Sequence, residues 1–309
     1  MNSIGQNFGG DWTEQKLDCV SKYLHAYTKI MNNQNFNFAY IDAFAGTGYR
    51  ELILDEEINE SLFPELDSQE VVNFRQGSVR NALEVQPPFN KYIFIEEDKG
   101  KFTELEKLRE EYIIREEFSE DRIECIRTEA NDYLTDACKK DWSRHRALVF
   151  LDPFGMQVEW KTIELIAKTE AIDLWLLFPI GTVNRLLKRN GEIRTNMRNK
   201  LDMFFGEDSW YDVFYNLTQE HSLFGEEEKW EKIGNIFYEI EQYFIKRLQV
   251  IFAGVANNPL VLRNSKNVPL YLLCFAVGNP KGSTTALKIA EYILDNQPDD
   301  QQTLPLLKE

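Results

Sequence analysis

Five short apolar runs recur along the first 180 residues: FAYID (38–42), KYIFI (91–95), RIECI (122–126), ALVFL (147–151) and IDLWLLF (172–178). Runs this short and this continuous suit strands buried on both faces better than helices, which need ten or more residues of 3.6 periodicity. Most are followed by a helical pattern. After Asp98, for example, Phe102, Leu105, Leu108 and Tyr112 fall on one face. Before the first run, Leu17, Val20, Leu24, Tyr27 and Met31 mark a helix over about 12–32. Strands alternating with helices at this spacing imply a parallel sheet wound by right-handed crossovers.

The pattern changes after Pro179. Residues 183–249 read as entirely helical, and Trp230, Ile233, Phe237, Ile240, Phe244 and Leu248 form the apolar stripe of the last helix. Two apolar runs then return, VIFAGVA (250–256) and PLYLLCFAV (269–277), with no convincing helix between them. An antiparallel hairpin is the expectation there. The helix STTALKIAEYIL closes the chain, capped by Ser283 or Thr284. The expected fold is therefore α/β: five parallel strands plus a C-terminal antiparallel hairpin, the strand count of a Rossmann-like class I methyltransferase sheet. Dinucleotide dehydrogenases lack that hairpin. The core is expected to span 1–182 and 246–309, with a helical insertion at 183–245.

A chain of 309 residues, 43% of them hydrophobic, can bury a large core. Its four cysteines, Cys19, Cys125, Cys138 and Cys274, form no CxxC pair, so no metal-ligand or disulfide spacing is expected. They read as reduced thiols of a cytoplasmic protein, with no signal peptide and no membrane span. The net charge of −16 disfavours a chain coated for phosphate binding. Charge is uneven, however: 55–70 holds seven acids and no base, whereas 185–200 holds six bases and one acid. Any anion-binding surface is expected in the second segment.

Chemistry is expected at the strand ends, where open α/β sheets bind ligands. In YIDAFAGTG, Asp42 ends the first strand and Ala43, Phe44, Ala45, Gly46, Thr47 and Gly48 follow, the glycines letting backbone approach a ligand. The bland alternative is a tight strand-to-loop turn. Glu96, directly after the second run, is placed to accept both hydroxyls of a ribose; otherwise it is an acidic helix start favoured by the dipole. After the third strand, Glu129 with Ala130 and Asn131 fills the region that reaches an adenine amine, though Asn131 equally reads as a helix cap. The fourth strand ends in Asp152-Pro153-Phe154-Gly155. Enzymes that methylate an exocyclic amine use an Asp/Asn-Pro-Pro-aromatic turn, in which the side chain and a backbone carbonyl orient the nitrogen lone pair at the methyl donor. Asp152 and Pro153 match that turn, Phe154 replaces its second proline, and Gly155 stands where the stacking aromatic belongs.

The segments YIDAFAGTGYR, QGSVRNALE, YIFIEED, RALVFLDPFGMQVEW, AIDLWLLFPIG, IFAGVANNPLVLRNSKNVPLYLLCFAVGNPKG and TALKIAEYIL resemble the three-Cys-motif partner protein family, TcmP, over about residues 12–295. That resemblance implies a methyltransferase-like Rossmann fold and a bacterial protein found beside a radical-SAM-like protein whose three cysteines name the family. Lys16, YIDAFAGTGYREL, QGS and LVFLDP are similar, more distantly, to the bacterial 23S rRNA adenine-N6 methyltransferase family. This second resemblance implies that Lys16 and Ser78 line the cofactor pocket, with Lys16 near the methionine carboxylate. Otherwise Lys16 is an exposed lysine on an amphipathic helix.

Two functions follow as expectations. The first is an S-adenosylmethionine-dependent methyltransferase acting on a nitrogen acceptor, with Asp152, Pro153 and Phe154 at the amine and Arg185, Lys188, Arg189, Arg194, Arg198 and Lys200 available to nucleic acid phosphates. The second is a catalytically degenerate, nucleotide-binding assembly partner of the three-Cys protein.

Overall fold

All five apolar runs are strands: β1 (Asn37–Asp42), β2 (Lys91–Ile95), β3 (Ile123–Ile126), β4 (His145–Leu151) and β5 (Ile172–Phe178). Every residue of β5 is buried, as expected of a central strand covered on both sides. The computed structural model describes residues 11–46, 77–115, 117–153, 155–222, 225–264 and 266–297. The five strands pair in parallel in the order β3-β2-β1-β4-β5. Their helices are α1 (Asp11–Met31), α2 (77–83), α3 (Lys99–Ile114), α4 (Ala130–Cys138) and α5 (Trp160–Lys168).

The stretch after β5 departs from the all-helical expectation. It contains α6 (Ile180–Leu186), α7 (Thr195–Phe205), α8 (Trp210–Phe214) and α9 (Ile236–Ile251), but also a hairpin of β6 (Tyr215–Ser222) and β7 (Gly225–Lys232). Trp230 therefore lies on β7, opposite Leu217, and Ile233 precedes the helix. The buried stripe of α9 is Ile236, Ile240, Phe244 and Leu248. Lys232 fastens the hairpin to the core: its ammonium donates to Asn184 O (2.9 Å), Asn184 Oδ1 (2.8 Å) and Leu187 O (2.8 Å), satisfying carbonyls at the end of α6.

The C-terminal strands also need correction in detail. α9 runs through Val250 and Ile251, so the first arm of the expected hairpin is two short strands, β8 (Gly254–Val255) and β9 (Leu260–Arg263). Pro259 lies between them, and a proline cannot donate to a ladder. Both pair antiparallel with β10 (Pro269–Val277), which itself runs antiparallel beside β5. α10 (Ser283–Asp295) follows. The sheet among the described residues is mostly parallel with an antiparallel flank.

Two hydrophobic clusters cover its faces. On one, Phe178 stacks closely on Phe244 of α9, with ring centroids 4.0 Å apart. On the other, Trp175 is held between Tyr23 of α1 and Phe275 of β10, at 5.4 and 4.9 Å. No described helix is long and apolar enough to cross a membrane.

One buried carboxyl has a measurable consequence for stability. Asp173 is 8% exposed and accepts the Gly278 N–H (3.1 Å). Burial raises its pKa from 3.8 to about 7, against the lowering effects of that hydrogen bond and of Arg146. The folded state therefore holds this proton longer than the unfolded chain, so stability should fall as pH rises between about 4 and 7 and be flat, on this account, above that. Asp173→Asn keeps the Gly278 acceptor and removes the titration. Thermal melts should show the variant gaining on wild type from pH 5 to pH 8 by about 2.7 kcal/mol, the two pH units between 5 and about 7; an equal difference at both values would exclude this group as the cause.

Candidate functional site at the strand ends

The carboxyl end of β1 is tied down by its own last residue. Asp42 is 1% exposed; its Oδ1 accepts the Phe44 N–H and its Oδ2 the Ser78 hydroxyl of α2, both at 3.1 Å. The loop then crosses the tips of both neighbouring strands, because Ala43 N–H donates to Phe150 O (3.2 Å) and Ala45 N–H to Ile95 O (2.9 Å). Gly46 lies directly against Glu96: a Cβ at that position would sit 1.8 Å from Glu96 Oε2. This is the close backbone approach for which glycine is needed. The other oxygen of Glu96 accepts the Asp98 N–H at 2.7 Å. Thr47, Gly48 and the acidic run 55–70 lie outside the described residues.

Beside this loop, at the ends of β1, β2 and β3, is a cavity of about 570 Å³. Six of the residues expected at a cofactor line it: Ala43, Phe44, Glu96, Glu129, Ala130 and Asn131. Asp42 and Ser78 support it through the hydrogen bonds above. The expected helix cap is resolved in favour of Glu129, whose Oε2 accepts the Asp132 N–H (3.0 Å) at the start of α4 while Oε1 accepts from Asn131 Nδ2 (2.8 Å). Asn131 instead clamps the segment that follows β4, donating to Gln157 O (2.9 Å) and accepting from Glu159 N–H (3.0 Å) and the Thr162 hydroxyl (2.9 Å). Gln157 and Glu159 thereby reach the cavity wall, and the sequence reading missed both. Among the described residues of the wall, five carboxylates, Glu96, Glu97, Asp98, Glu129 and Glu159, face two ammonium groups, Lys99 and Lys101. Such a wall repels phosphate and favours hydroxyls and positive charge.

Asp152 follows β4 and is 4% exposed. Its Oδ2 takes a 2.6 Å ion pair from Lys16 of α1, with the two side chains 5% and 0% exposed. Lys16 thus stands on Asp152, 5.5 Å above the Phe150 ring, and is not on the wall of the cavity. Tyr40, two residues before Asp42, has a fully buried hydroxyl with no hydrogen-bond partner among the described residues. Burial, then the charges of Asp42 and Asp152, push that hydroxyl well above the usual tyrosine range. Pro153 is buried and Phe154 lies outside the described residues. Gly155 has φ +86°, a conformation that would strain any aromatic residue. That is the physical reason for a glycine where a stacking ring was expected.

The basic segment runs from α6 through α7. Lys188, Arg189 and Arg194 are exposed, Arg185 and Lys200 half-buried, and Arg198 lies over the Tyr211 ring at 4.5 Å.

A sheet ordered β3-β2-β1-β4-β5-β10, with only β10 reversed against β5, together with a ligand-sized cavity at the carboxyl ends, decides the fold class. It is a Rossmann-like α/β sheet of five parallel strands with an antiparallel flank. No protein-family model and no curated protein matches the chain. Among solved structures, it is similar to the protein LPL1258 from Legionella pneumophila, at 12% identity over 92% of each chain with a TM-score of 0.42. It is also similar to the putative methyltransferase yhhF from Escherichia coli, at 10% identity over 68% of this chain and 85% of that one, with a TM-score of 0.28. Spermidine synthase from Thermotoga maritima is similar at 10% identity over 87% of this chain and 60% of that one, with a TM-score of 0.38. At these values, what the site does rests on its own geometry.

Proposed function

We propose that the protein is an S-adenosylmethionine-dependent methyltransferase acting on an amine nitrogen. The observation that carries this is the acid-walled cavity against the Gly46 loop. A dinucleotide brings a pyrophosphate that five carboxylates would repel. S-adenosylmethionine has no phosphate, carries a sulfonium and an ammonium against one carboxylate, and presents two ribose hydroxyls. When bound, it supplies an electrophilic methyl group on sulfur. Glu96 accepts the ribose hydroxyls, the Ala43–Gly46 backbone receives the amino-acid part, and Glu129 with Asn131 bounds the adenine. Asp152 and the Pro153 carbonyl accept the N–H bonds of the acceptor, which aims the nitrogen lone pair at the methyl carbon. The acceptor nitrogen would take the methyl group that bound S-adenosylmethionine supplies and would give up its proton to water. Lys16 fixes Asp152 in position through its other oxygen.

In this reading nucleic acid supplies the acceptor, and Lys188, Arg189 and Arg194 receive its phosphates with Arg185, Arg198 and Lys200 beside them. The second reading, a nucleotide-binding assembly partner of a radical-SAM-like three-Cys protein, as the TcmP resemblance implies, is favoured by one feature. Gly155 leaves the turn after Asp152 without its stacking ring.

Variants separate the two. Gly46→Arg fills the space against Glu96 and should abolish S-adenosylmethionine binding in calorimetry. Asp152→Ala should keep that binding while transfer of labelled methyl to bulk RNA or DNA falls about a hundredfold, the usual loss when a reacting group is misplaced. Cofactor binding without transfer in wild type would support the assembly reading. Loss of cofactor binding in Asp152→Ala would make Asp152 a cofactor contact.

A further inference from the structure

A second cavity, of about 540 Å³, opens at the opposite, amino end of the sheet, and nothing in the proposed reaction uses it. Its floor is apolar: Ala39 and Ile41 of β1 with Ile93 of β2. It exists because the helices are unevenly distributed. α3 buries Leu105, Leu108 and Tyr112 in the cluster that holds Tyr92 and Phe94, on the other face of the sheet. α4 is only nine residues long. Among the described residues, the face of β1 and β2 beside α4 is left partly bare, and Ala39 and Ile93 stay half-buried. Parallel sheets are ordinarily covered on both faces, so bare floor of this kind is a place for an apolar occupant.

The walls specify that occupant further. Tyr133 of α4 and Trp142 stand beside the floor, and the indole is held in place by its N–H donating to Ala137 O at 3.1 Å. Lys140 is exposed at the rim. Arg146 also lines the cavity; one of its terminal nitrogens donates to Trp142 O (3.1 Å) and His145 O (2.7 Å) and its guanidinium lies 3.9 Å from the Phe36 ring centre, while its buried Nε has no acceptor among the described residues. Lys91 is already balanced by Glu124 at 3.0 Å. The one carboxylate among the described wall residues, Asp141, is engaged by the Ser143 N–H (2.9 Å) and hydroxyl (3.0 Å). In a chain of net charge −16, this pocket carries Lys140 and Arg146 on its wall, while the carboxylates that sense their charge, Asp136 and Asp173, are not among its described lining residues.

We propose that the cavity binds a planar aromatic small molecule bearing one anionic group. The ring lies on Ala39, Ile41 and Ile93 with Tyr133 and Trp142 beside it, and the anion meets Lys140 and Arg146. The site is independent of the cofactor reading, since the two cavities occupy opposite strand ends.

Anilinonaphthalene sulfonate tests the proposal on the full chain labelled with fluorotryptophan, the Trp142 fluorine signal being assigned with Trp142→Phe. Saturable binding should shift the Trp142 signal and leave that of Trp12 in place. Lys140→Glu, an exposed change, should weaken binding about tenfold, and the uncharged analogue without the sulfonate should bind at least about tenfold more weakly than the sulfonate itself. Ile93→Trp, which fills the floor, should abolish binding. An unmoved Trp142 signal at saturation would overturn the proposal. So would equal affinities for charged and uncharged probes, or a wild-type affinity in Lys140→Glu. If Ile93→Trp does not fold, the Trp142 shift and Lys140→Glu decide.

Discussion

Lys16→Met is expected to cost the fold about 3 kcal/mol, because it removes one member of a buried ion pair and leaves the other inside. Lys16 and Asp152 lie 136 residues apart in sequence, are almost wholly excluded from water, and join α1 to the end of β4. A carboxylate stranded there keeps its desolvation penalty without the ammonium. Lys16→Met/Asp152→Asn removes both charges and should recover most of the loss, since isosteric replacement of a whole buried pair is often nearly neutral. Chemical denaturation of wild type, both single variants and the double variant gives the coupling directly. An unchanged midpoint in Lys16→Met would mean that the pair contributes nothing to holding α1 on the sheet.

Gly206→Ala is expected to destabilise by a similar amount through a different cause. Gly206 ends α7 with φ +74°, and a Cβ there would lie 2.1 Å from Trp160 Cδ1 and 2.4 Å from Cγ. The left-handed conformation alone costs an alanine about 1 kcal/mol, and the overlap adds roughly 1–3. Trp160 has little freedom to yield. Its indole N–H donates to Glu164 Oε1 at 2.8 Å, Arg247 lies 4.5 Å from the ring centre, and Phe244 meets it edge-on at 6.2 Å. Gly234→Ala is the control, because a Cβ there has nothing within 4 Å, and it should be near neutral. Equal melting temperatures for the two variants would contradict this packing.

Strands β1 to β5 were legible because a strand buried on both faces must be continuously apolar, and the runs ended where the strands end to within a residue or two. The β6–β7 hairpin was not. Its sequences, YNLTQEHS and GEEEKWEK, are mostly uncharged polar in the first strand and mostly charged in the second, so no apolar alternation marks it. β8 and β9 were blurred by Val250 and Ile251, apolar residues that end α9, with Val250 80% exposed. At the site, the glycine loop and the acids after β2 and β3 were legible from their places at strand ends. The partner of Asp152 was not, since the pairing is long-range. A local signal did exist: Lys16, Val20, Tyr23 and Tyr27 recur at helical spacing, and all four are buried. A lysine on the buried stripe of a helix calls for a buried anion. The helix cap expected at Asn131 falls to Glu129, whose side chain reaches the Asp132 N–H, because Asn131 is engaged by Gln157, Glu159 and Thr162.

The central claim is that the cavity at the ends of β1, β2 and β3 takes a phosphate-free, cationic nucleoside. Calorimetric titration of the folded wild-type protein with S-adenosylmethionine, and with its demethylated product, tests this most directly. One saturable site of micromolar affinity, lost in Gly46→Arg, is the expected result; no heat of binding from either compound, with the protein folded, would contradict it.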